Sequence, residues 1–405
     1  MVDSSWQLTL RQERCATSKL TEIQSPELLI PTFVTTQTCW SDDQFERSVA
    51  QVVEAFPILN RRLLKTDSDS FALVEGTLAN HVVRLDLHSE SQSDAREAAT
   101  ELWRETRMPI GHAMSKIYLW NVAVDRSAIL WITDHIICDA WSTSILFNEL
   151  ASVILDRPRT RRSTRFGEYA EIERAWLAGS EAAKQIDDWK LIFEDFPRRP
   201  TPKFRSQKSD RRHDVLTLEQ ISAFTASCAK LGLTLFNVMF ACFGQAVRTA
   251  FGREVYISIN TSGREDHITV GQVGCFINSL MIPIIRPRGD LVGTIREQAI
   301  VSARVLGLKR LPCEKVLDLT STQHPSELSD AFFAFKNIPY PKTILPDSIY
   351  ADVAVREPQL PIEYHWIVNR QGGIGELIWS SDVLGRSLAE DIARDTFSAL
   401  ARLAQ

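Results

Sequence analysis

The sharpest change of hydrophobic period lies between Ala128 and Leu150. Ala128–Ile132 is an unbroken apolar run, which predicts a buried strand ending at Thr133. Trp141, Ile145, Leu146, Leu150, Val153 and Ile154 then recur at helical spacing. A strand therefore delivers Asp134, His135 and Asp139 to a turn, and a helix leaves from it. Rigid elements on both sides of such a turn fix where a side chain points.

The same reading extends along the chain. Residues 30–40 (I-P-T-F-V-T-T-Q-T-C-W) predict a strand. Phe45, Val49, Val52, Val53 and Phe56 predict an amphipathic helix, capped by Ser41 and closed by Pro57. Short strands near Phe71–Val74 and Val82–Leu87 come next, then an acidic helix from about Ser93 to Thr106. Ile117–Val124 and Ala128–Ile132 read as a hairpin turning at Asp125-Arg126-Ser127. Glu168–Phe193 reads as one polar helix. Two basic stretches, 156–165 and 197–213, read as a loop and a proline-rich crossover linker. Solvated surface is the plain reading of both, and docking of an acidic partner the functional one.

In the second half, helices are predicted at Leu218–Leu231, Leu235–Phe251, about Val292–Leu306, Cys313–Leu319 and from Leu388. Strands are predicted at Glu254–Asn260, Gly274–Ile285, Phe332–Phe335, Glu363–Asn369 and Glu376–Ser380, with a turn at Gln371-Gly372-Gly373. Mixed strands and helices without a short repeat predict an α+β layer architecture.

Composition narrows the class. With 405 residues, 44% of them hydrophobic, the chain can form two domains with a core each. A net charge of -5 argues against nucleic acid as a partner. Seven cysteines stand singly, odd in number and without a C-x-x-C pair, so reduced thiols and no metal centre are expected. The N-terminus lacks a signal-peptide pattern, and no apolar run approaches a membrane span. A cytoplasmic protein with no membrane partner is the expectation.

Neutral His135 suits proton acceptance near pH 7. Asp139, beside a buried strand, needs a cation or several N–H donors. From these residues alone His135 is as well a structural histidine, and Asp139 a helix N-cap.

Several segments together resemble the condensation domains of nonribosomal peptide synthetases, within the chloramphenicol-acetyltransferase-like acyltransferase superfamily. V-A-Q-V-V-E-A-F-P-I-L-N-R-R-L (49–63) resembles the family's early helix, with Phe56 where histidine is usual. D-H-I-I-C-D-A-W-S stands where the family has H-H-x-x-x-D-G-x-S. D-D-W-K-L-I-F (187–193), T-L-F-N-V-M-F-A-C-F, I-N-T-S-G-R-E-D, V-G-Q-V-G-C-F-I-N-S-L, L-P-C-E-K-V-L-D-L (311–319) and F-F-A-F-K-N (332–337) follow in family order.

The resemblance implies two acyltransferase-like lobes, residues 1–180 and 181–405 with a linker at about 197–213, in a V-shaped pseudo-dimer around an active-site tunnel. It implies condensation of an acyl or peptidyl thioester with an amine or alcohol, giving an amide or ester. The thioester would ride on a carrier protein's phosphopantetheine arm, or on CoA, and the acceptor would be a small molecule or carrier-bound. A free-standing monomer with no bound cofactor is expected, Met1 favouring the free-standing form. His135 would act on the nucleophile, with Asp134 beside it and Asp139 pairing with Arg264 of the other lobe. Ala140, Trp141, Ser142, Ser262, Asn278 and Trp379 would line the tunnel; core packing is the alternative for Trp141, Ser262, Asn278 and Trp379.

Two departures stand out. Asp134 replaces the first histidine of the motif, and Ala140 replaces its glycine, adding a Cβ where a backbone N–H would face the reacting carbonyl. Asp134 would raise the imidazole pKa where the two side chains meet. Asp134, Asp139 and Ser142 also fit the D-x-x-x-x-D-x-x-S motif of heterocyclization domains. A third reading is a non-catalytic module that recruits a partner enzyme. L-P-D-S-I (345–349) lacks the glycines of a phosphopantetheine attachment site and reads as a loop.

Overall fold

The computed structural model describes residues 5–21, 28–37, 39–66, 70–76, 82–122, 126–157, 166–198, 204, 206, 208–264, 269–336, 349–351, 357–369 and 372–403. Most of the first basic stretch, residues 199–203, 205 and 207 of the second, Asp125 of the 125–127 turn, Gln371, most of L-P-D-S-I, and Glu265 and Asp266 lie outside the described residues.

In chain order the elements begin with α1 (Leu10–Thr21), β1 (Leu29–Thr36), α2 (Asp42–Ala55), β2 (Arg61–Lys65), β3 (Phe71–Glu75) and β4 (Val82–Ser89). Then come α3 (Gln92–Glu105), β5 (Ser115–Val122), β6 (Arg126–Asp134), α4 (Ala140–Ile154), α5 (Phe166–Leu177) and α6 (Ser180–Asp195). After them run β7 (Ser209–Thr217), α7 (Leu218–Lys230), α8 (Leu235–Phe251), β8 (Tyr256–Thr261), β9 (Asn278–Pro283), α9 (Leu291–Leu306) and α10 (Cys313–Leu319). The last are β10 (Ala331–Lys336), β11 (Ile349–Ala351), β12 (Ile362–Asn369), β13 (Gly372–Ser380) and α11 (Arg386–Leu403).

These elements form two compact α+β units. The first comprises Met1–Ala178, Ser262–Ile277 and Ile338–Arg356; the second holds the remaining segments. The first unit carries the sheet β11-β1-β6-β5-β4, in which only β4 and β5 run parallel. β6 lies inside that sheet and is buried on both faces. Ile129 and Trp131 face one apolar cluster, and Ala128, Leu130 and Ile132 face another. That double burial accounts for the unbroken apolar run. Trp131 meets Phe147 of α4 edge-on at 5.9 Å, tying the helix to the strand it follows.

The second unit carries the sheet β7-β13-β12-β10-β8-β9. Its core is a chain of rings in which Phe240 and Phe243 of α8 meet Phe333 of β10, and Phe243 meets Tyr364 of β12. Helix α8 is capped by Thr234 with Asn237 and ended by Gly252 at φ 63°. No single helix among the described residues is long and apolar enough to cross a membrane; the bent pair α7 and α8 passes by length and composition, and α8 is a core helix.

Four expectations are corrected. The helix read over Glu168–Phe193 is two, α5 and α6, broken at Ala178–Gly179. The stretch read as linker ends in β7, paired antiparallel with β13. Its charge disguised it: Asp214 and Leu216 turn inward while Arg211 pairs outward with Glu376 at 3.1 Å. The strand read over Gly274–Ile285 begins only at Asn278. Arg264, expected from the other lobe, belongs to the first unit, because segment 262–277 packs there. Helix α1 and the short strand β2 had no expectation attached.

Candidate active site

β6 ends at the turn that carries His135. The Asp134 N–H donates to the Met114 carbonyl at 2.8 Å, and the Ile137 N–H returns to the Asp134 carbonyl at 3.0 Å, closing a turn over residues 134–137. The His135 N–H donates to Leu28 at 2.8 Å. Its imidazole is half-buried, with Nδ1 3.0 Å from the Cys138 carbonyl oxygen and 3.6 Å from the Cys275 sulfur. A carbonyl oxygen only accepts, so Nδ1 carries a proton, and in the neutral ring the lone pair is on Nε2. The neighbouring sulfurs are no rivals as nucleophiles. Burial, reinforced by Asp139, pushes the Cys138 thiol up to about 12, and burial holds Cys275 well above its ordinary value.

Asp139 is both the N-cap and the partner of a buried cation. Its Oδ1 accepts the Ser142 N–H at 2.7 Å, and its Oδ2 accepts the Phe276 N–H at 3.1 Å. Arg264 Nη2 reaches both oxygens, at 2.9 and 3.1 Å, and the Ser142 hydroxyl at 2.7 Å. Arg264 Nη1 donates to the Thr269 and Gln272 carbonyls at 2.6 and 2.7 Å, and the guanidinium lies 4.4 Å from the Phe276 ring centroid. The Ser142 hydroxyl donates to the Gly274 carbonyl at 2.9 Å and accepts the Gly274 N–H at 3.1 Å. Segment 262–277 is thereby fastened to the start of α4 inside the first unit.

The remaining candidates separate. Asp134 is wholly buried; its carboxylate takes an ion pair from Lys19 and the Ile136 N–H at 3.0 Å. Burial raises its pKa, against the pull of Lys19. Ala140 is exposed, and Trp141 is half-buried against the first unit's core. Ser142 is fully buried. Ser262 is exposed, its hydroxyl accepting the Arg264 N–H at 3.4 Å. Asn278 and Trp379 belong to the second unit. There the Asn278 amide donates to the Lys309 and Leu311 carbonyls, each at 2.8 Å, and accepts the Cys313 N–H at 2.9 Å, while Trp379 is 1% exposed.

Sequence reasoning missed Lys19, Gly263 and Gly274. Gly263 sits at φ 63°, and a Cβ there would fall 1.8 Å from the Phe276 carbonyl oxygen; one at Gly274 would fall 2.0 Å from the Phe166 ring. Both glycines stood in recognised motifs, but which backbone they must approach is a fact of three dimensions. Lys19 had no local signal at all. Among the described residues no group of His, Cys, Asp and Glu is placed to hold a metal ion.

Comparison with known proteins bears on the family and the fold. A linear gramicidin synthase of Brevibacillus parabrevis is 23% identical over 325 residues, 73% of this chain but 4% of that protein. The chain thus spans a small fraction of the curated relatives it matches. The condensation domain of the Monacolin K polyketide synthase MokA superposes with a TM-score of 0.83 at 13% identity, covering 99% of this chain and 97% of that one. The X-domain from teicoplanin biosynthesis, in its complex with OxyB, gives 0.80 at 14% identity, covering 100% and 94%. These likenesses show the fold. The profile of the condensation-domain family matches residues 3–360, so the chain belongs to that family.

Proposed function

We propose that the chain is an acyltransferase of natural-product assembly. It condenses an acyl or peptidyl thioester, held on a carrier protein's phosphopantetheine arm or on CoA, with an amine or alcohol. His135 Nε2 takes the proton of the nucleophile as it attacks the thioester carbonyl. The tetrahedral intermediate then collapses, the C–S bond breaks, and the imidazolium returns the proton to the departing thiolate. The product is an amide or an ester, and the free thiol remains on the arm. Such a base contributes about 10²–10⁴-fold in rate, and holding the reactants in register contributes the rest.

The observation that carries this reading is the hydrogen bond from His135 Nδ1 to the Cys138 carbonyl on a half-buried ring, which in the neutral imidazole makes Nε2 the basic nitrogen. The heterocyclization reading is weaker. Asp134, Asp139 and Ser142 are all buried and committed to Lys19, Arg264 and Gly274. A second reading, a recruitment module, is favoured by the likeness to an X-domain seen in complex with OxyB and by Ala140 in place of glycine.

The test is incubation with an acyl-loaded carrier protein and a panel of amines, alcohols and aminoacyl-carriers, following acyl loss by intact mass. Acceptor-dependent transfer that falls at least about 10²-fold in His135→Ala is the expected result. Carrier binding by both proteins with no transfer to any acceptor would replace this reading with the recruitment module. A product lighter by a further water would replace it with cyclization.

A further inference from the structure

Helix α1 sends two side chains, the buried Gln12 and the partly buried Lys19 two turns on, to the residues flanking His135. Gln12 is wholly buried; its Oε1 accepts the Thr9 N–H at 3.0 Å and its Nε2 donates to the Ile136 carbonyl at 2.7 Å. Lys19, seven residues on, places Nζ on the Asp134 carboxylate and donates to the Met108 carbonyl at 2.8 Å. Asp134 in turn accepts the Ile136 N–H. The residue before His135 is therefore held through its side chain, and both polar groups of the residue after it are bonded.

We propose that Lys19 and Gln12 are positioning residues for His135, acting through Asp134 and Ile136 to aim its Nε2. The proposal rests on the acyl-transfer reading above for its kinetic consequence. The 134–137 turn is short: apolar packing holds its Ile136 and Ile137 side chains, and the polar groups beside His135 are held by Asp134 and Gln12. Its peptide planes flank the histidine Cα, so fixing them fixes the Cα–Cβ vector, and the Cys138 carbonyl then selects one ring orientation. Asp134 makes this clamp sensitive to Lys19. A wholly buried carboxylate without its cation must protonate or move, and either changes the hold on the Ile136 N–H. Burial alone drives the Asp134 carboxyl upward, and Lys19 is the leading influence opposing it.

The experiment compares the full chain with Lys19→Met, Lys19→Arg, Gln12→Met and the pair Lys19→Met with Asp134→Asn. For each, kcat and KM of acyl transfer are measured beside thermal unfolding and the imidazole 15N spectrum, in which His135→Gln assigns the resonance. Lys19→Met and Gln12→Met are expected to lower kcat about 10²-fold with KM unchanged, the effect of a displacement near 1 Å. The His135 signal should pass from one Nδ1–H tautomer to a mixture in protein still folded at the assay temperature. Lys19→Arg should recover most of kcat. The paired variant should exceed Lys19→Met alone, because its buried partner is no longer charged. Wild-type kcat in Lys19→Met and Gln12→Met, or loss of activity only in step with the unfolded fraction and with the tautomer unchanged, would overturn the proposal. If the wild-type chain transfers nothing but its locked tautomer is released by Lys19→Met, the positioning stands and the acyl-transfer reading falls.

Discussion

Arg264 and Asp139 keep only 1% and 3% of their side-chain surface exposed, so each charge depends on the other and on the N–H and C=O groups around it. Removing one partner strands the other in a low-dielectric interior. Arg264→Met should destabilise the first unit by about 3–5 kcal/mol, read from urea unfolding, and Asp139→Asn in the same background should recover part of it. The buried hydroxyls and thiols predict an alkaline limit. Cys138 and Cys242 are pushed up to about 12, and Tyr256 and Tyr364 are also raised, chiefly by burial. Folding holds these groups protonated, so their contribution is complete below the unfolded pKa, near 9 for cysteine. It is lost as pH rises from there toward 12. Thermal unfolding followed from pH 8 to 11 should show Tm falling, and Cys138→Ala should fall less steeply. His135 and Asp139 were legible as candidates because their types and spacing are local facts. Which ring nitrogen holds the proton was not, since a carbonyl three residues on decides it.

Among the elements, those with a full apolar stripe and a capping residue were legible. Ser41 caps α2 as expected, and Phe45, Val49, Val52 and Val53 form its buried face. β7 escaped because pairing with β13 supplies the hydrogen bonds that its charged sequence does not advertise. The break between α5 and α6 escaped because one glycine seldom interrupts a long periodic pattern. Glycines show the same divide between pattern and packing. Gly263 has a positive φ and a backbone carbonyl in the way, whereas the nearest atoms to a Cβ built at Gly244 of α8 all belong to the Ile284 side chain, with Cδ1 at 2.6 Å. Gly263→Ala should cost more than about 2 kcal/mol and Gly244→Ala clearly less, measured side by side by chemical denaturation.

At the level of the molecule, each unit is assembled from separated stretches of chain. Residues 262–277 lie between strands of the second unit in sequence, yet they complete the first through Arg264, Gly274 and Phe276. A fragment ending at residue 178 lacks that segment and leaves Asp139 without its cation. It should show no cooperative unfolding transition and should bind a hydrophobic dye, where the full chain unfolds sharply. The sequence by itself determined the α+β class, the strand–turn–helix that presents His135, and membership of the condensation-domain family, because periodicity, caps and ordered motifs are written in neighbouring residues. Only the tertiary structure decided that Lys19 balances Asp134, that Asn278 spends its amide on the loop before α10, and that 262–277 closes the first unit. Those choices depend on burial, which strands a charge or a polar group unless some distant residue meets it, and no local pattern records which residue that is.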